Sequence, residues 1–172
     1  MSKRFRQYAG LLCAVAAYYV LHEGAHLIAA LCMGAFKGIN FMGLGVQIDV
    51  YAERMTDAQL GIFCLVGVIA SQCTAYALVF AANAIGKSRS KVLKACMYYV
   101  TIAMLLIDPL YLSVLCGFFG GGDMNGIKLL IAEPLARLIF GAVLAVNAVV
   151  FFKCVLPVYK RAFEENKDPE QR

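Results

Sequence analysis

Charge is scarce in this chain. Asp, Glu, Lys and Arg make up 16% of its 172 residues while 62% are hydrophobic, whereas a soluble domain carries about 25% charge and about 45–50% apolar residues. A chain this poor in polar groups cannot cover its own surface, which excludes a water-soluble globule. The net charge of +5 lies between apolar runs instead of on one polar face, which excludes a nucleic-acid binder. No CxxC pair occurs among the seven cysteines, at positions 13, 32, 64, 73, 96, 116 and 154. They sit in or beside apolar stretches and read as small apolar thiols, not as disulfides or metal ligands. Internal repeats and low-complexity tracts are also lacking. No run has the form of a cleaved signal peptide, because the first apolar stretch is too long and is interrupted by ionisable residues.

What is present is four segments long and apolar enough to cross a hydrocarbon layer that takes about 20 helical residues. They run from about Tyr8 to Phe36, Ala58 to Ile85, Ala95 to Gly117 and Leu138 to Pro157. Between the first two, Val46, Ile48 and Val50 alternate with Gln47 and Asp49, as in a strand with two unlike faces. A basic loop, Gly86 to Lys94, joins the second and third. A glycine cluster, Gly117 to Gly126, follows the third and leads to a short helical piece that Pro134 restarts as the last span. The expected fold is therefore an all-α polytopic membrane protein of about four transmembrane helices, with a short membrane-associated β-hairpin after the first. Residues 1–160 form one domain, and 161–172 a polar, frayed C-terminal tail.

The chain has two histidines, and they stand four apart with a glutamate after the first: His22, Glu23, His26. On a helix, positions i and i+4 share a face, so both imidazoles can reach one ion, with Glu23 beside it as a general base. Two His and a Glu inside a membrane span cost several kcal/mol unless something compensates them. A bound cation compensates all three. A catalytic zinc usually takes three protein ligands, so a third must come from elsewhere. The acids of the tail and of the hairpin region (Asp49, Glu53, Asp57) are explained by solvation, which leaves Asp108, Asp123 and Glu133. Asp123 follows three glycines that let the backbone approach closely, and is the first choice. Asp108, followed by Pro109, is the second.

His22 to His26 inside a span, the Gly-rich β-like stretch after it and the downstream Asp-containing glycine motif together resemble the site-2 protease family of intramembrane zinc metalloproteases. The resemblance covers roughly Leu12 to Lys128. The family's Gly-Pro-x-x-Asn motif is echoed from Gly67 to Ser71, with Val68 in place of Pro and Ser71 in place of Asn. Its Asn-x-x-Pro segment leading to Asp-Gly is matched loosely by Asp108-Pro109 and by Asp123 with Gly126. The resemblance implies a minimal core without PDZ or CBS domains, one Zn2+ per chain on His22, His26 and Asp123, and Glu23 as the catalytic base. It also implies hydrolysis of a peptide bond in a membrane-embedded or membrane-associated protein or peptide.

A transmembrane helix hides its carbonyls in its own hydrogen bonds, so a substrate must unwind, and an exposed strand edge is a natural receiver. Ile39 to Val50 is the candidate edge, with Ile39, Val46, Ile48 and Val50, together with Ser71, as substrate contacts. A small polytopic transporter or a non-catalytic scaffold with a buried His/Glu cluster is the alternative. The expected surroundings are the lipid bilayer of the cell membrane, with a partner exporter or regulatory membrane protein compatible with the same chemistry. For orientation, twelve of the sixteen Lys and Arg fall on one side of an even-span layout, so the positive-inside rule places both termini in the cytoplasm.

Overall fold

The computed structural model describes residues 2–42 and 45–164. It is a bundle of four helices long and apolar enough to cross a membrane, with a two-stranded antiparallel hairpin after the first. Helix α1 spans Lys3–Cys32 and starts where the Ser2 side chain accepts the Phe5 N–H. Strands β1, Phe36–Met42, and β2, Gly45–Val50, follow. Helix α2, Asp57–Gly86, opens with a reciprocal cap between Thr56 and Gln59. Both α1 and α2 have 30 residues, about 45 Å at helical rise, more than the ~30 Å hydrocarbon layer.

The helices meet through alanines as well as larger apolar side chains such as Met104, Leu105 and Leu112, and many large apolar residues face outward. Ala14, Ala30, Ala75, Ala82, Ala95 and Ala136 are buried between helices, whereas Leu12, Val20, Leu138 and Phe152 face outward. Small residues let helix backbones approach closely where lipid tails are as apolar as leucine. Helix α3, Lys91–Leu110, packs against both α1 and α2.

Pro109 falls inside α3. It has no N–H, so the Leu105 carbonyl one turn earlier loses its helical partner. The Asn147 side chain, from helix α5 (Glu133–Val150), donates to that carbonyl at 2.7 Å and to Gln72 Oε1 at 2.7 Å, while Tyr76 donates to Asn147 Oδ1 at 2.8 Å. One buried amide thus joins α2, α3 and α5. Beyond Pro109 the helix widens into a π-helical turn, Tyr111–Leu115, in which the Cys116 N–H reaches the Tyr111 carbonyl.

The chain then reverses through Gly120, Gly121 and Gly122, whose φ angles of 77°, 89° and 49° are left-handed. Residues with a Cβ adopt that conformation only at a cost. This reversal returns Asp123 to the bundle, ahead of the short helix α4, Met124–Ile127.

Helix α5 passes through a second π-helical turn, Phe151–Val155, into α6, Leu156–Glu164. The expected fraying after Tyr159 does not occur over this stretch. Tyr159 and Ala162 are buried, and the fully buried Lys94 ammonium donates to the Ala162 carbonyl at 2.7 Å. A cation at a helix C-terminus meets the negative end of its dipole. Lys94 therefore belongs to α3 and to the packing of α6, not to a solvated loop; residues 165–172 lie outside the described residues.

Candidate metal centre

The centre is built where α1, α2 and the loop before α4 meet. His22 and His26, one turn apart on α1, are 5% and 3% exposed in a segment whose other ionisable residue is Glu23. Their Nε2 atoms face each other at 3.2 Å. Asp123 closes the group, with Oδ2 at 3.2 Å from His22 Nε2 and Oδ1 at 3.5 Å from His26 Nε2. One ligand atom from each of the three residues lies within 4.8 Å of the others, so the group could hold a metal ion.

The partners behind the rings fix which nitrogens face inward. His26 Nδ1 lies 2.8 Å from the Phe63 carbonyl, which can only accept, so Nδ1 carries the hydrogen. Ser71 donates its own hydrogen to the Gly67 carbonyl at 2.9 Å. It therefore accepts from His22 Nδ1 at 3.2 Å. In the neutral rings both Nε2 atoms are then acceptors, and the carboxylate between them is an acceptor too. Three acceptors cannot bond one another; they converge on a place for positive charge, a proton or a metal cation.

Gly67 makes the room. A Cβ there would collide with His26 Nε2 and would stand 2.8 Å from His22 Nε2. No side chain fits at that position of α2 without displacing the ligand atoms.

A cavity of about 350 Å³ opens onto this group. Glu23 and Asp108 line it, with Tyr18, Tyr19, Phe63, Ile107, Tyr111, Leu112 and Phe119 as apolar and aromatic walls, and Gly45 to Ile48 of β2 along one side. Glu23 Oε2 accepts the Ile48 N–H at 3.1 Å. Ile48 pairs with Ile39 across the hairpin, and an N–H committed to Glu23 points away from β1. Residues i±2 share an orientation, so the outward edge of β2 is formed by the backbone of Val46, Ile48 and Val50.

The structure thus brings His22, Glu23, His26, Asp123, Val46 and Ile48 to one cavity. Ile39 lies on the far strand, half-exposed, and neither it nor Val50 lines the cavity. Ser71 is fully buried behind His22, so it holds the ring instead of facing the cavity. Asp108 also sits behind the ring, 3.4 Å from His22 Nδ1, on the side away from the converging atoms. The role of Gly67 as the space at the centre was not read from the sequence; its four-residue spacing from Ser71, one turn of α2, was the available signal. All seven cysteines are free. No family model, curated protein or solved structure matches the chain, so the reading of the site rests on its own residues.

Proposed function

We propose that this protein is an intramembrane zinc metalloprotease of the site-2 type, hydrolysing a peptide bond of a membrane-embedded or membrane-associated substrate. The observation that carries this reading is the convergence of His22 Nε2, His26 Nε2 and an Asp123 oxygen in the cavity that also holds Glu23. Two imidazoles and a carboxylate are a usual protein set for catalytic zinc, which leaves a fourth position open. Zinc held there supplies Lewis acidity and lowers the pKa of water toward about 7.

The chain's own residues do the rest. Glu23, beside His22 in sequence, accepts a proton from the attacking water and passes it to the leaving amine. The outward edge of β2, apart from the Ile48 N–H that Glu23 takes, offers backbone groups to an unwound substrate segment. Apolar and aromatic walls around the cavity suit the side chains of a transmembrane sequence. The four helices long and apolar enough to cross a membrane support this reading, since such a substrate is presented in a bilayer.

The test is metal content and cleavage measured together on purified protein. Wild type should carry about one zinc per chain. His22→Ala, His26→Ala and Asp123→Ala should lose both metal and activity, whereas Glu23→Gln should keep the metal and lose cleavage. Active wild-type protein without any transition metal would overturn the reading.

A further inference from the structure

Asp108 is buried at 3% exposure in α3, and its two oxygens are treated differently. Oδ1 accepts the Tyr18 hydroxyl in a short hydrogen bond. Oδ2 has no hydrogen-bond partner among the described residues, yet it lies 3.4 Å from His22 Nδ1. Tyr18 is one turn before His22 on α1, and its ring stacks on the imidazole at 5.0 Å between centroids, with 22° between planes. An unpaired carboxylate oxygen in an apolar interior is costly. This one is directed at the nitrogen of His22 that does not face the candidate metal.

The two histidines are therefore supported unequally. Behind His26 stands a neutral carbonyl, that of Phe63. Behind His22 stand the Ser71 hydroxyl and a carboxylate. A carboxylate on the outer nitrogen of a ligating imidazole fixes the ring and strengthens the inner nitrogen as a donor.

We propose that Asp108 is a positioning residue of the metal centre: held by Tyr18, it orients His22 through Nδ1–H and strengthens Nε2 as a donor to the metal, and it is not itself a ligand. The proposal rests on the reading of His22, His26 and Asp123 as a metal site.

A double-mutant cycle on the full-length protein tests it, with Zn2+ affinity measured by chelator competition. Asp108→Asn, close in size and still able to accept from Tyr18, should weaken Zn2+ binding about tenfold to a hundredfold. In a His22→Ala background, which purifies without metal and is titrated at high Zn2+ for its residual affinity, the same substitution should change nothing further, because its route runs through His22. In 15N-imidazole spectra the His22 Nδ1–H signal should shift in Asp108→Asn while that of His26 stays. Should Asp108→Asn fail to purify as a monodisperse particle, Tyr18→Phe carries the same cycle, with a smaller loss in the same direction. Unchanged affinity with an unmoved His22 signal overturns the proposal, as does an equal further loss without His22, which marks a merely structural role. Wild type that binds no Zn2+ instead overturns the metal reading on which the proposal stands.

Discussion

Replacing Gly67 with alanine adds a single methyl group at the point where both ligand nitrogens converge. In an isolated helix the change would stabilise by about 1 kcal/mol, because alanine is the better helix former. Here the new Cβ would collide with His26 Nε2 and stand 2.8 Å from His22 Nε2 and 2.9 Å from its Cε1. Ordinary contact needs about 3.5 Å or more, so the His22 ring must retreat by roughly 0.7 Å and the His26 ring by about 1 Å. Such overpacking costs about 1–3 kcal/mol, which leaves the fold between about neutral and ~2 kcal/mol less stable. Metal geometry is less forgiving, since ligand distances hold to about ±0.2 Å. Zn2+ affinity should fall by at least about a hundredfold, or ~2.7 kcal/mol. Chelator competition measures the affinity, and thermal unfolding with size-exclusion of the same sample reports the fold. Folded Gly67→Ala protein with wild-type Zn2+ affinity would show that the ligand nitrogens do not meet against Gly67.

Three further outcomes follow from the structure. Ile48→Pro removes the N–H that ties β2 to Glu23 and shifts the strand edge beside the cavity, so cleavage of a membrane substrate should fall much more than Zn2+ binding; equal activity would remove β2 from the mechanism. Asn147→Leu leaves the Leu105 carbonyl, Gln72 Oε1 and the Tyr76 hydroxyl without their partner and should cost about 1–2 kcal/mol, seen as earlier unfolding in a denaturant series, with Zn2+ binding retained. In a background lacking the native cysteines, Ser88→Cys should be shielded from an impermeant thiol reagent in intact cells and Thr56→Cys labelled. Labelling of position 88 alone would reverse the orientation drawn from the charges.

The sequence made some parts of this arrangement readable and concealed others for physical reasons. His22, Glu23 and His26 are legible because helical spacing alone puts them together, and Asp123 because a glycine run marks a reversal. Apolar length likewise revealed the four spans. Asp108 is different: whether a carboxylate ligates an ion or stands behind a ligand depends on which side of an imidazole it reaches, and no spacing within α3 encodes that. Ser71 was open to the same ambiguity from the α2 side. The hairpin was visible as an alternation, but the choice of β2 over β1 as the strand beside the site comes from its docking on α1. Helix α6 was hidden because its charged residues resemble a solvated tail, while Lys94, which caps it, lies 68 positions away.

Pro109 makes the third span incomplete as a membrane element. An isolated helix with this sequence carries one open carbonyl, at Leu105, in a layer with no water to satisfy it. The group that closes it, the Asn147 amide, arrives 42 residues later in the chain. During synthesis the third helix therefore enters the bilayer with an unmet hydrogen bond, and the fourth brings the missing donor. The order of insertion is thereby coupled to the order of packing: the last span completes its predecessor, and the loop that carries Asp123 is drawn between two helices committed to each other.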